Sequence, residues 1–305
     1  FVLSVTGQPQ LKMSVTREGD PADPTSVTTS DRVYDRYGRL ISSHTETQTR
    51  DAAGTLVVST VNDEIYAIGP TGQPQLKSRT STTGPVNSPA EVTTQTFAYD
   101  RYGILVGSHA ETKSRNAAGS LAVSSVVDEV YALSAAGQPI LLERTTKSGP
   151  NSNDPASTAK QTFTYDVFGN LKSAHNETQT RDASGALVVS SVSDEIYALS
   201  VSGSPQLVQA TTKVGNASDP AMTVTESRVY DIYGNLKEAT SITKVKNTDG
   251  WVTASTTVSA FSVSATGSAQ LGRSVTTSGD GSVTTTTRVY DKYSLLKSAD
   301  IKIES

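Results

Sequence analysis

Cysteine is absent from the 305-residue chain, and Trp and Met are scarce at one and two residues. Without cysteine there is no disulfide scaffold, thiolate zinc site, Cys nucleophile or iron–sulfur ligation. An excess of one charge sign is lacking too: 26 Lys and Arg stand against 30 Asp and Glu, a formal charge of −4. So even and mildly acidic a balance argues against a nucleic-acid footprint. No apolar run approaches the roughly 18 residues that a membrane-spanning helix needs. A signal-peptide pattern is also missing at Phe1. Apolar residues are thin overall, at 35 % even with Tyr counted, while Ser and Thr supply 83 positions. The length alone would suggest about two domains, yet the chain is too polar for two thick cores. Tyr, Val, Leu and Ile nevertheless recur too regularly for disorder.

What is present is a repeat. YDRYGRL at 34–40 returns as YDRYGIL at 99–105, YDVFGNL at 165–171, YDIYGNL at 230–236 and YDKYSLL at 290–296, with starts 65, 66, 65 and 60 residues apart. DEIYAIGPTGQPQL at 63–76 matches DEVYALSAAGQPIL at 128–141 and DEIYALSVSGSPQL at 194–207 in the same register. The chain opens partway through a unit (residues 1–33), continues through 34–98, 99–164, 165–229 and 230–289, and stops partway through another (290–305). The expectation is one continuous repeat array that is a segment of a longer chain.

Inside the repeat, a small polar or turn residue, two variable residues and a Gly recur. One set runs from Asp35 to Gly38, Asp100 to Gly103, Asp166 to Gly169 and Asp231 to Gly234. A second ends at Gly54, Gly119, Gly185 and Gly250, and a third at Gly7, Gly72, Gly137, Gly203 and Gly267. Asp, Asn or Ser at the first position accepts the N–H two residues on. Gly at the fourth takes the left-handed conformation that completes a type I turn with a bulge. Stretches rich in Pro, Gly, Asn and Asp at 18–25, 84–90, 149–156 and 215–221 read as further turns. The chain then reverses about every 16 residues. This predicts four antiparallel strands of roughly 10–14 residues per repeat, with one thin apolar face and one solvated face.

Some twenty such strands in one flat meander would make a sheet about 90 Å wide, and open twisted sheets rarely exceed about ten strands without curling. The predicted fold is all-β: a repetitive antiparallel meander coiled into a spiral sheet or β-solenoid tube. The Tyr-Asp-x-x-Gly-x-Leu element, carried by Tyr34, Tyr99, Tyr165 and Tyr230 with the Asp that follows each, resembles the YD repeat. That repeat occurs in bacterial Rhs-type and wall-associated proteins and in animal teneurins. The resemblance implies a long antiparallel sheet spiralling into a hollow shell, placement outside the cell and, in Rhs toxins, an enclosed C-terminal toxin.

Candidates for chemistry are few. His44, His109 and His175 share one repeat position and could form a metal-binding or pH-sensitive ladder, but the fourth copy carries Thr240 there, so surface decoration is expected. The pairs Asp63-Glu64, Asp128-Glu129 and Asp194-Glu195 could serve acid–base chemistry. Adjacent strand residues face opposite ways, however, so solvation or pairing with Arg50, Arg115 or Arg181 is expected instead. The loops holding Asp20 and Asp23, then Asn151, Asn153 and Asp154, then Asp219, could hold Ca²⁺ but share no ligand spacing. The sequons at 176–178 and 216–218 are expected by chance at this Ser and Thr content. The aromatic pairs, such as Tyr34 with Tyr37 and Tyr99 with Tyr102, could stack on carbohydrate, but packing over the turn is the favoured reading.

These readings converge on a structural protein with no catalytic, cofactor or metal residue: a segment of an extracellular or cell-surface fibre or tube. Its partner is itself, through repeat stacking and filament bundling. The alternatives are the shell of an Rhs-type toxin-delivery protein and the stalk of an adhesin.

Overall fold

The computed structural model describes every residue except 4, 6, 8, 86, 151, 152, 217, 265 and 266, and the side chain of Val2. The expected turn residue Ser4, the loop residue Asn151 and the centre of the 216–218 sequon lie outside the described residues.

A short pair, β1 (Val2–Leu3) and β2 (Pro9–Gln10), precedes β3 (Met13–Asp20), β4 (Asp23–Tyr34), β5 (Leu40–Arg50), β6 (Leu56–Ile68) and β7 (Pro74–Thr83). Next come β8 (Glu91–Tyr99), β9 (Leu105–Arg115), β10 (Leu121–Leu133), β11 (Pro139–Ser148) and β12 (Ser157–Tyr165). Then follow β13 (Leu171–Arg181), β14 (Leu187–Leu199), β15 (Pro205–Asn216), β16 (Asp219–Tyr230) and β17 (Leu236–Asn247). The last four are β18 (Gly250–Val263), β19 (Ala269–Ser278), β20 (Val283–Tyr290) and β21 (Leu296–Glu304). No helix occurs among the described residues.

The chain divides into two compact units, Phe1–Leu133 with Gly137–Thr158, and Ser134–Ala136 with Ala159–Ser305. In the first, β3 to β11 pair consecutively and antiparallel. In the second, β13 to β21 do the same. From β3 onward the strands run from 8 to 14 residues, slightly wider than the range expected from turn spacing. Thr, Val, Ile and Tyr fill them because branched and aromatic side chains fit a pleated surface.

Burial is sparse. Among the described residues the buried hydrophobics are Val61, Val126, Ala174 and Val192, and no large side chain is fully buried. One face is more sheltered than the other, as expected, but on β4 the sheltered face is not the apolar one. On β4, one face carries Ser26, Thr28, Ser30, Arg32 and Tyr34, and the other Val27, Thr29, Asp31 and Val33. Hydroxyls on the first face pair across strands, Thr28 with Thr47 at 3.2 Å and Ser30 with Thr45 at 3.1 Å. The same ties recur between Thr93 and Thr112 and between Thr257 and Thr276, both at 2.9 Å. Ser and Thr therefore build one face directly, because register sets hydroxyl opposite hydroxyl.

The short turns have one chemistry. Asp35 donates its N–H to Arg39 O at 2.9 Å, and Gly38 donates to Asp35 O at 3.0 Å. Asp35 Oδ1 accepts the N–H groups of Tyr37 and Arg39, each at 2.9 Å. Asp100, Asp166 and Asp231 repeat the arrangement. All thirteen turn glycines have φ between +77° and +122°. In the degenerate fifth copy Ser294 occupies the glycine position at φ +70°. Gly250 departs from the expected turn: it opens β18 opposite Asn247, so only two residues connect β17 to β18. The stretch at 18–25 is also tighter than a loop, since pairing continues through Gly19 with Pro24 to Asp20 with Asp23.

Gly54 and Gly103 separate two costs. A Cβ at Gly54 meets nothing within 4 Å, whereas at Gly103 it would lie 2.5 Å from Gln75 Nε2 and 3.2 Å from Pro70 Cδ. Alanine at either position carries the left-handed cost of roughly 1–2 kcal/mol. Gly103→Ala also displaces Gln75 from its hydrogen bond, for about 1 kcal/mol more. Denaturant midpoints of the two variants check the order, and equal midpoints would refute the contribution of Gln75.

Candidate functional site

The aromatic pairs split into two roles. In the first unit, β7 and β8 are paired only as far as Ser78 with Thr96, which leaves the carbonyl of Leu76 beyond the end of the ladder. Tyr99 closes it, donating its hydroxyl to Leu76 O at 2.9 Å. Tyr34 donates likewise to Leu11 O at 3.1 Å, Tyr230 to Leu207 O at 2.9 Å and Tyr290 to Leu271 O at 3.1 Å. Gln75 Nε2 makes a returning bond to Gly103 O at 2.6 Å, matched by Gln206 to Gly234 O at 2.7 Å and Gln270 to Ser294 O at 2.9 Å. Adjacent hairpins thus hold each other through one tyrosine and one glutamine. The second aromatic of each pair stands at the turn centre, and Tyr37, Tyr102, Phe168, Tyr233 and Tyr293 are all exposed.

Each hairpin at this edge also places its Tyr, or Phe261, directly opposite a Leu. Tyr34 faces Leu40, Tyr66 faces Leu76, Tyr131 faces Leu141 and Tyr197 faces Leu207, each beside a bulge. The Leu was part of the repeated element, but the Gln did not stand out in the sequence, although its fixed place in QPQL and its variants was the available signal.

Polar clusters form on the hydroxyl-bearing face. Glu64 accepts hydrogen bonds from Ser43 at 2.9 Å, Tyr66 OH at 2.6 Å and Arg79 Nε at 2.8 Å. Glu129 repeats this with Ser108 at 2.8 Å, Tyr131 at 2.6 Å and Arg144 at 2.9 Å. Partial burial by itself would raise both carboxyls, but hydrogen bonds from the tyrosine, arginine and serine outweigh it and hold each below its ordinary value of 4.5. Burial and the adjacent Glu129 push the Tyr131 phenol up to about 12, so it stays a donor. In the third copy Glu195 keeps Tyr197 at 2.7 Å, while Ala174 and Ala210 stand where the Ser and Arg would be.

The opposite face holds the histidines. His44 Nδ1 lies 2.6 Å from Asp63 Oδ1, and His109 with Asp128 and His175 with Asp194 show the same spacing. The Asp–Glu pairs therefore split as strand geometry requires, Asp toward His and Glu toward Tyr. The expected pairing with Arg50 and Arg115 does not occur. Arg50 bonds to Gly54 O, Pro24 O and Asp23, and Arg115 to Gly119 O, Ser88 and Pro89 O. Register explains this, because both arginines sit at strand ends opposite Leu56 and Leu121. Arg181 likewise bonds to Gly185 O. Among the loop acids, Asp23 pairs with Arg50 and Asp219 with Lys246. No group of three or more His, Asp or Glu placed to hold a metal occurs among the described residues.

No protein-family model matches the chain, and no curated protein matches it. Among solved structures, a porin-like protein from Bacteroides uniformis aligns over 85 % of this chain and 94 % of its own, at 12 % identity and a TM-score of 0.32. A likeness at that score supports no inference about this chain.

Acid should weaken the fold. Asp35 is held low chiefly by the Arg39 N–H, and Asp166 and Asp231 chiefly by the side chains of Asn170 and Asn235. With Glu64 and Glu129 they have depressed native values, so the unfolded state binds protons first. Their stabilisation is present above the ordinary carboxylate range, 3.8 for Asp and 4.5 for Glu, and is lost as pH falls through the lower native values. Urea midpoints should hold steady between about pH 7 and pH 5 and then fall. The double variant Glu64→Gln, Glu129→Gln should show a shallower fall; an unchanged acid limb would exclude these clusters as its source.

Proposed function

We propose that this chain is a non-catalytic structural repeat protein, a segment of an extracellular or cell-surface fibre or tube. The observation that carries this reading is the repeated hairpin interlock, Tyr hydroxyl to Leu carbonyl and Gln amide to turn carbonyl. It fixes each hairpin on its neighbour by the same contacts, so a further repeat can add without a new kind of interface. Coiling of the meander into a spiral or solenoid belongs to the same reading. Its support is the sparse burial among the described residues, together with the twist that accumulates along a long sheet. Placement outside the cell is supported by the YD-repeat resemblance. The polar clusters recur as similar shallow patches, which suits a scaffold better than a single asymmetric reaction site.

Negative-stain electron microscopy of this chain and of a head-to-tail fusion of two copies tests the reading. The fusion should give particles of unchanged width and about doubled length, as expected when each repeat contacts only its neighbours. Two separate beads, or a closed shell of fixed size, would overturn it, and the shell would favour the toxin-delivery alternative.

A further inference from the structure

The two edges of the meander use different residues at equivalent turn centres. At the edge of the YD turns the central pairs include Arg101-Tyr102, Val167-Phe168 and Ile232-Tyr233; at the other edge they are Ala52-Ala53, Ala117-Ala118, Ala183-Ser184 and, in the tighter connection before Gly250, Thr248-Asp249. The centre of a type I turn accepts most residues, so the turn does not require the large ones. They are also unburied: Tyr102 is 61 % exposed, Phe168 75 % and Tyr233 81 %.

The order of chemistry toward that edge is specific. The hairpins between YD turns reach further out, adding two residue pairs beyond their Tyr–Leu pair, roughly 7 Å of strand. Their tips, residues 67–75, 132–140 and 198–206, contain no charged residue, and Leu133 and Leu199 are half exposed. Behind the tips sit aromatic–cation pairs, with the Arg36 and Arg101 guanidinium groups 4.6 Å from the ring centres of Tyr37 and Tyr102, and Lys292 Nζ 4.9 Å from that of Tyr293. Farther in lies the exposed charged row of His44 with Asp63 and His109 with Asp128.

The geometry points to a lipid-binding edge: in each unit the YD-turn edge seats shallowly in an anionic bilayer surface. Uncharged tips enter the acyl boundary, aromatic rings and cations lie at the headgroups, and the His–Asp row stays in water. That sequence of layers matches an interfacial belt of aromatics with snorkelling cations. The charged row limits entry to roughly the 5–10 Å typical of interfacial elements, so the edge lies on the membrane and does not cross it. The turn Asp carboxylates point back to backbone N–H groups of their own turns, while the aromatic-paired cations lie at the turn centres, where anionic headgroups would meet them. A second copy docking edge to edge would set these cations against one another. Each tip contributes weakly, and several on one array act together. The inference does not depend on the fibre reading.

Co-sedimentation of the full chain with phosphatidylcholine vesicles, with and without phosphatidylserine, tests it. The chain should bind the phosphatidylserine vesicles, and Tyr102→Ser, Phe168→Ser, Tyr233→Ser, Leu133→Ser and Leu199→Ser combined should lower affinity by about tenfold or more. Arg36→Gln, Arg101→Gln and Lys292→Gln combined should remove the preference for phosphatidylserine. Serine at Ala52 and Ala117 should change nothing, and circular dichroism checks that every variant folds. No binding to either vesicle, or unchanged binding by the five-residue variant, overturns the inference. Self-association in sedimentation velocity that this variant abolishes, without vesicle binding, would assign the edge to a second copy instead.

Discussion

The Tyr hydroxyl that reaches a Leu carbonyl on the neighbouring hairpin is the contact on which the rest of the meander depends. Where the β7–β8 ladder ends, the strands diverge toward separate turns and a backbone carbonyl is left without a ladder partner. A part-buried carbonyl with no donor would cost about 1–3 kcal/mol. Tyr99 supplies that donor. The bulge beside each Tyr–Leu pair belongs to the same solution, because one extra residue re-aims the strand entering or leaving the turn. Without this tie each hairpin would be joined to the next beyond its ladder only by the returning glutamine bond.

Cohesion elsewhere is polar, which is how a chain with so few buried hydrophobics holds a long sheet. Hydroxyls face hydroxyls, each turn Asp accepts two backbone N–H groups, and Glu64 and Glu129 each gather three side-chain donors. Such groups need partners more than they need burial, since an unsatisfied group is costly while a satisfied one adds about 1 kcal/mol. The sheet is therefore stable through satisfaction repeated many times, and its electrostatics are tied to carboxylates that must stay ionised.

Local chemistry was legible in the sequence and register was not. The turns could be read because Asp and Gly act within four residues, so Asp100 and Gly103 announce their roles without knowledge of any neighbour. The four-strand repeat followed from turn spacing alone. The partner of Glu64 could not be read, because Arg50 and Arg79 are equivalent until the pairing of β6 with β7 sets Glu64 opposite Arg79. The same holds for the aromatics: Tyr99 and Tyr102 look alike three residues apart, but one lies at the end of a ladder and the other at the centre of a turn. A single-layer sheet also defeats the usual pattern, since alternation marks a face only where one side is buried.

Where packing does not choose a residue, the residue reports something other than packing, and turn centres are such places. Alanine at Ala52-Ala53 and Ala117-Ala118 shows what the turn accepts when nothing else acts on it. Arg-Tyr, Val-Phe and Ile-Tyr at the opposite edge expose large apolar surface that a type I turn does not require, and the uncharged hairpins beside them do the same. Within each unit the YD turns are four strands apart, about 19 Å along the sheet, so several such tips recur at regular intervals. Contacts too weak to hold singly become effective when the spacing between them is already fixed, and the interlocked hairpins supply that spacing. The contacts that join neighbouring hairpins are thus also what would let an edge of modest tips act as a surface.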